Sequence, residues 1–328
     1  MKASGQAEKK KAKRKKAAAN AALLVLVFAF FFLIRSYEIS SLGAVFFFNE
    51  GISLEVYFCP GCRDDYLKII NSSEHIACAF YSLTDEQLIS ILASKNATVK
   101  LFEQSFYPAL HSYKGFHPVR SAALMHNKFC ILDRKTVLTG SLNPTNNGFN
   151  EHNDVLVVHS KRIAGIFERE FREIGTFSYK KEILRTFSLD KGYIEARFCP
   201  EEACEDTLVG LISSAEERVL FAQFLVTSGP VSEALIDSSS RVPVFGVIEQ
   251  SKQNIFESRY NALSSAFDVF LIRRIHLKFW VIDDIVLTGS YNPSIGGNTK
   301  NDENIIIIKN RKIADFYAQR LSEIISAG

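Results

Sequence analysis

Two groups of residues in this chain have the types and spacing that phosphoryl chemistry needs. The first runs His126-x-Lys128-x4-Asp133 and continues, after six intervening residues, as Gly140-Ser141-x-Asn143. The second runs His276-x-Lys278-x4-Asp283 and continues, after five intervening residues, as Gly289-Ser290-x-Asn292. Eleven residues past each Asn stands an acid, Asp154 and Glu303. Six fixed residues at about 5% frequency each coincide less than about once in a million at a given position, and here the pattern occurs twice. In an extended strand residues i and i+2 project to one face, so His126 and Lys128 point together, as do His276 and Lys278. Ser141 and Asn143, and Ser290 and Asn292, repeat that pairing, with the preceding glycine allowing close backbone approach.

A His, a Lys, an Asn and a Ser from each group would make a pocket of positive charge and hydrogen-bond donors, which suits a phosphate. Two histidines facing across a phosphodiester can work by covalent catalysis. One neutral imidazole attacks phosphorus in line, and the other, protonated, gives its proton to the leaving alkoxide. Water then hydrolyses the phosphohistidine. The acid at each motif's end is expected to accept the Nδ1 proton and so free Nε2 for chemistry. Two Lys and two Asn can already neutralise developing charge, so neither a metal nor a cofactor is expected.

The elements that must position these groups form an internal repeat. Leu54-Glu-Val-Tyr-Phe-Cys-Pro60 recurs as Ile194-Glu-Ala-Arg-Phe-Cys-Pro200. Each copy continues with an amphipathic run (66–71; 207–213), a β-rich apolar run (75–83; 218–226), a second helical run (85–93; 231–237) and a further strand candidate (98–102; 242–248). After the motif come a strand (155–158; 305–308) and a closing helix that starts at Lys161 and Arg311. Strands alternating with helices predict an α/β layer in each half, and a repeat of about 140 residues is far too long for a solenoid unit. Two fused domains related by a pseudo-twofold axis would bring both motifs to one cleft within one chain, functional as a monomer.

The paired motifs resemble those of the phospholipase D superfamily, whose signature is HxKxxxxDxxxxxxGSxN, and the likeness extends through the repeat over about residues 51–328. It implies two fused domains, each a mixed β-sheet flanked by helices, sharing one site for metal-free phosphodiester hydrolysis or exchange. It implies catalytic or phosphate-binding roles for His126, Lys128, Asn143, His276, Lys278 and Asn292. Asp133, Ser141, Asp154, Asp283, Ser290 and Glu303 would support them, the two motif aspartates mainly as structural partners; by analogy His126 is the nucleophile. Two departures stand out: the shorter spacer before Gly289, and Asp154 where Glu is usual.

The chain has 328 residues with 39 Lys+Arg against 36 Asp+Glu, but the charge is unevenly placed. Residues 1–22 hold eight positive side chains and one negative, a net of +7, which leaves 31 positive against 35 negative, a net of −4, in the remainder. After the basic residues 1–16 comes an uncharged stretch, 17–34, ending in twelve apolar residues from Leu23. As a helix it would span about 27 Å, against about 30 Å for a hydrocarbon core. A cleaved signal peptide or a nuclear localisation run could look similar, but a transmembrane signal anchor fits best. The basic flank would keep the N-terminus cytoplasmic and the body extracytoplasmic or lumenal. Residues 35–50 then read as a tether, 51–176 as the first domain, 177–192 as a linker and 193–328 as the second domain.

Cys59-x2-Cys62 and Cys199-x4-Cys204 allow local disulfides, a zinc site or free thiols, while Cys78 and Cys130 look like core residues. His111 and His117 read as loop histidines, and Gln104, Glu249 and Gln250 as pocket candidates at equivalent strand ends. Two substrate classes fit the motifs. The compact halves favour nucleic acid, although a body of net −4 offers no broad basic surface. An anchored enzyme would also sit beside phospholipid head groups, so hydrolysis or transfer on phospholipids is the alternative. Two complete motifs argue against a scaffold without activity.

Overall fold

The computed structural model describes residues 43–48, 51–120, 124–176, 186–255 and 257–328. The basic tail, the apolar stretch 17–34 and much of the tether and linker therefore lie outside the described residues. Among the described residues no helix is long and apolar enough to cross a membrane.

The alternation of strand and helix patterns resolves into two eight-stranded mixed sheets. The first holds β1 (Ala44–Phe47), β2 (Ser53–Cys59), β3 (Ile76–Phe80), β4 (Thr98–Phe102), β5 (Phe116–Val119), β6 (Lys128–Leu132), β7 (Thr136–Gly140) and β8 (Asn153–His159), in the order β1-β2-β8-β7-β6-β3-β4-β5. The second holds β9 (Thr186–Leu189), β10 (Gly192–Cys199), β11 (Val219–Gln223), β12 (Val244–Glu249), β13 (Asp268–Ile272), β14 (Lys278–Ile282), β15 (Ile285–Gly289) and β16 (Glu303–Lys309), in the order β13-β12-β11-β14-β15-β16-β10-β9. In each, the first full strand and the motif strands pair antiparallel, and parallel pairing is confined to the side beyond β3 or β11. The first domain begins earlier than the sequence suggests, because β1 adds to the edge of β2.

Fully buried runs mark the central strands: all five residues of β6, β7 and β14 are buried. Such strands read as continuous apolar runs because both faces are covered. Helices α1 (Arg63–Asn71) and α2 (Glu86–Ser94) contribute Tyr66, Leu67, Ile70, Leu88 and Leu92 to one outer core; α4 (Cys204–Ser213) and α5 (Gly229–Ser238) do the same for the second half. The closing helices α3 (Lys161–Glu173) and α6 (Arg311–Ala327) bury their apolar faces in a third core, shared by both sheets. Serine and asparagine caps start them, Ser160 accepting from Ile163 N and Asn310 from Lys312 N and Ile313 N. An aromatic seam crosses that shared core, with ring centroids of Phe167 and Phe198 5.2 Å apart and of Phe58 and Tyr317 5.1 Å apart. The two halves therefore fold against each other.

All six cysteines are paired, as Cys59–Cys62, Cys78–Cys130 and Cys199–Cys204. Local disulfides are thus the reading that holds for the two motif-like pairs, and a four-thiolate zinc site is not formed. Cys78 and Cys130 are buried core residues as expected, but they are joined, being direct partners across β3 and β6.

Candidate active site

Each motif strand begins at its lysine, so the histidine stands just before the strand. Backbone contacts between the halves hold it there. His126 N donates to Asp302 O at 2.8 Å, and Asp302 N to Leu124 O at 2.9 Å. At the equivalent place His276 N donates to His152 O at 2.9 Å, and His152 N to Arg274 O at 2.7 Å. Each motif histidine is therefore hung on the residue that precedes the closing strand of the other half. These crossed bridges bring the two motifs together.

The lysines fold back under the histidines. Lys128 Nζ donates to His126 O at 2.7 Å, and Lys278 Nζ to His276 O at 2.8 Å while standing 3.3 Å from its Nε2. Both lysines are buried, as is His126; His276 is slightly more open. Burial, and then the charge of Lys278, hold Lys128 well below its usual value, and burial brings Lys278 down to about 7. Burial and the adjacent Lys128 lower His126 to about 4 despite its acidic neighbour, and burial with Lys278 and Lys128 holds His276 well below the usual imidazole range. In the free protein both rings are neutral near pH 7.

The partners on Nδ1 differ from those the spacing suggests. His126 Nδ1 lies 3.1 Å from Glu303 Oε1, the acid of the other half, and not beside Asp154. His276 Nδ1 lies 2.9 Å from Asn153 Oδ1, an amide. Strand register explains the correction. Glu303 pairs with Cys199 and Asn153 with Cys59, so Asn153 occupies the Glu303 position and Asp154 that of Asn304. Matching hydrogen bonds agree: Ser141 Oγ accepts from Asp154 N and Ser290 Oγ from Asn304 N, both at 2.9 Å. The loop after Asn143 is one residue shorter than its counterpart, so a count of eleven lands one position late.

Asp154 is a buried structural acid. It accepts from Ser141 N and, across the halves, from the hydroxyls of Thr288 and Tyr317. Glu303 is also buried, accepting from Asn292 N at 2.9 Å and from Asn301 Nδ2 at 3.0 Å. Burial pushes its carboxyl up, but His126 and Lys128 outweigh that and hold it below its usual value.

Asp133 and Asp283 stand at the far ends of the motif strands, in hairpin turns with φ of 50° and 55°. Asp133 accepts from Glu74 N and His75 N; Asp283 accepts from Glu216 N, Glu217 N and Arg218 N. They pin a neighbouring loop and reach neither motif histidine. Gly140 and Gly289 have φ of +137° and +150°, and a Cβ there would fall 2.4 and 2.3 Å from the carbonyl oxygens of Asp154 and Asn304. Only glycine lets the Ser-x-Asn segment lie against the closing strand. Asn143 and Asn292 follow it, each with a buried side-chain oxygen that has no partner, and each amide can turn its Nδ2 edge toward a phosphate oxygen.

Several residues of this site carried no motif signal. Tyr81 and Phe224, just past β3 and β11, set their rings edge-on to His126 and His276, at 4.9 and 5.0 Å. Lys128 and Lys278 lie over the same rings. Their matching places in the repeat are the signal that could have found them. Beside His276 opens a cavity of about 490 Å³ lined by Phe224, Gln250, Ser251, Arg273 and Arg274, with Glu151 and Glu249. Glu249 and Gln250 thus do border the cleft, Glu249 accepting from Ile275 N at 2.8 Å and Gln250 from Arg273 Nε at 2.8 Å. Gln104 is exposed on the other half, His111 rests against the Phe106 ring, and His117 is exposed on β5.

Comparison with known proteins agrees with this geometry. A family profile described as "Cardiolipin synthase, PLD-like domain" matches residues 83–174 and 208–325, well over half the chain and both motifs. The phospholipase D of Rickettsia prowazekii is 29% identical over 137 residues, covering 40% of this chain and 67% of that protein. Phosphatidylserine synthase of Haemophilus influenzae superposes with a TM-score of 0.63 at 10% identity, over 82% of this chain and 85% of that one. Polyphosphate kinase of Porphyromonas gingivalis superposes at 0.60 and 14% identity, over 82% of this chain and 46% of its own. The last two are likenesses of fold.

Proposed function

The chain belongs to the phospholipase D superfamily, and from that premise we propose that it is a metal-independent phosphodiesterase acting through a covalent phosphohistidine. The observation that carries this reading is the unequal pairing of the two histidines. Glu303 Oε1 faces the Nδ1 proton of His126 at 3.1 Å, which favours the tautomer with a lone pair on Nε2 and stabilises the cation that forms when this nitrogen bonds to phosphorus. His276 Nδ1 faces the uncharged Asn153 amide instead of a carboxylate, so its ring is oriented without a permanent charge being offset. His126 is thus the nucleophile and His276 the acid and base.

Substrate phosphate settles among Lys128, Lys278, Asn143 and Asn292, and its negative charge raises the affinity of His276 for a proton. His126 Nε2 attacks phosphorus while the bond to the leaving oxygen breaks, and His276 passes its proton to that oxygen. Neutral His276 then takes a proton from water, whose oxygen attacks phosphorus and releases His126. The lysines and amides stabilise the extra negative charge on the phosphoryl oxygens at both steps.

For substrate we infer single-stranded nucleic acid. Tyr81 and Phe224, half-buried beside the histidines, offer ring edges to bases, and Arg273 and Arg274 offer a second anion contact on the His276 side. Phospholipid is the second reading. It is favoured by the name of the Rickettsia relative and by Val45 and Phe47, 51% and 79% exposed on β1 shortly after the apolar stretch. The full chain, purified in mild detergent with excess EDTA, is expected to cut single-stranded oligonucleotides. Release of head group from phospholipid vesicles with oligonucleotides untouched would replace the first substrate with the second, and loss of all turnover in EDTA would end the metal-free mechanism.

A further inference from the structure

We infer that the disulfides Cys59–Cys62 and Cys199–Cys204 are positioning devices, each setting the acceptor that serves the motif histidine of the opposite half. The inference rests on the roles proposed above for His126 and His276. In the antiparallel pairing of β2 with β8, Cys59 lies directly opposite Asn153; in that of β10 with β16, Cys199 lies directly opposite Glu303. Directly opposed residues are close neighbours in an antiparallel pair, so a shift of one backbone is passed to the other. Asn153 faces His276 and Glu303 faces His126. Each crosslink is therefore one residue pair away from a side chain that touches a reacting ring.

What the two disulfides join is equally specific. Cys59 ends β2 and Cys62 caps α1; Cys199 ends β10 and Cys204 opens α4. All four are buried. Their sequence separations are 3 and 5, against 52 for Cys78–Cys130. A crosslink over so few residues restrains the unfolded chain about half as much as Cys78–Cys130 does, so global stability is an incomplete account of why both halves keep one. Holding a strand end against a helix start is a better account, because acid–base partners lose effect when displaced by a fraction of an ångström to about 1 Å.

The two clamps act on different chemical steps, which makes the inference testable. Cys59–Cys62 reaches His276, needed to protonate the leaving oxygen; Cys199–Cys204 reaches His126, needed for attack whatever the leaving group. The measurement uses two phosphodiesters on the scaffold that the wild-type chain turns over, thymidylyl or phosphatidyl, one with p-nitrophenol and one with a simple alcohol as leaving group. p-Nitrophenolate departs without a proton. For Cys59→Ser/Cys62→Ser the expected result is a loss of at least about tenfold in kcat/KM on the alkyl ester and under about threefold on the p-nitrophenyl ester, kcat/KM covering the steps up to departure of the leaving group and not the later attack of water, for which both esters need His276. For Cys199→Ser/Cys204→Ser both esters should lose alike, and Cys78→Ser/Cys130→Ser should leave the ratio of the two rates unchanged.

A pattern reversed between the first two variants would keep the clamps and overturn the assignment of nucleophile. Unchanged ratios in all three variants would overturn the clamps. If a double variant does not fold, single changes at the same loops read the same coupling. Glu202→Met removes the acceptor of Phe198 N beside Cys199, and Arg320→Met removes the donor to Cys59 O. Arg320→Met should then depress the alkyl ester selectively, and an equal effect of both changes on both esters would sink the inference.

Discussion

Two buried carboxylates one register position apart carry different consequences. Glu303→Gln removes the charge facing His126 and should lower kcat by roughly 100-fold, as loss of an orienting partner does, with the fold intact. Asp154→Asn weakens acceptance from Thr288 and Tyr317 and should cost about 1–3 kcal/mol of stability, with kcat per folded molecule within about threefold of wild type. Denaturant unfolding and active-site titration separate the two. If Asp154→Asn were the inactive one, the register correction would be wrong. The pH profile follows from the same residues. Attack needs neutral His126, whose lowered value near 4 makes the neutral fraction rise as pH passes through about 4. Phosphate binding needs charged Lys278, whose value near 7 makes that charge disappear as pH rises through about 7. kcat/KM should therefore be bell-shaped between those limits, and Lys278→Arg should move the alkaline limb upward because a guanidinium keeps its proton. An alkaline limb unmoved by that change would assign it elsewhere, His276 being the next candidate as the group that must carry a proton for the leaving oxygen.

At the scale of elements, the order of strands and helices was legible because the apolar runs are bounded by turns and occur twice. Thr98–Phe102 is a strand at the residues expected, and the closing helices start where the repeat places them. The strand β1 was not legible: four residues at a sheet edge have no periodicity, and Phe46-Phe47-Phe48 read equally as membrane-facing. Which side chains complete the site was half legible. His126, Lys128, Asn143 and their counterparts declare themselves by spacing, but Asn153 is hidden by a loop one residue short, and no local pattern says that a partner comes from the other half. Crosslinks obey the same limit. Proximity in sequence exposes Cys59–Cys62, whereas Cys78 meets Cys130 only through the pairing of β3 with β6. By its longer span, Cys78–Cys130 should contribute about 4 kcal/mol, against about 2 for either short crosslink. Thermal unfolding of Cys78→Ala/Cys130→Ala should show the larger loss; a loss no greater than that of Cys59→Ala/Cys62→Ala would show that native-state packing outweighs chain entropy there.

For the whole molecule, net charge proved a poor guide and internal symmetry a good one. The sum of all charges mixes a basic tail with a mildly acidic body, while the cations that matter are two lysines buried in one cleft. Symmetry predicted that the halves meet, and the shared core and crossed bridges are the form that meeting takes. The departure from symmetry reaches further. With Glu303 on one side and Asn153 on the other, the two faces of the cleft are not interchangeable, and a bound phosphodiester has a right and a wrong way round. An enzyme with identical faces would cut a strand without regard to its polarity and leave the phosphate on either end. On the proposed nucleic-acid substrate this one should read direction, and every fragment it releases should carry its phosphate at the same terminus.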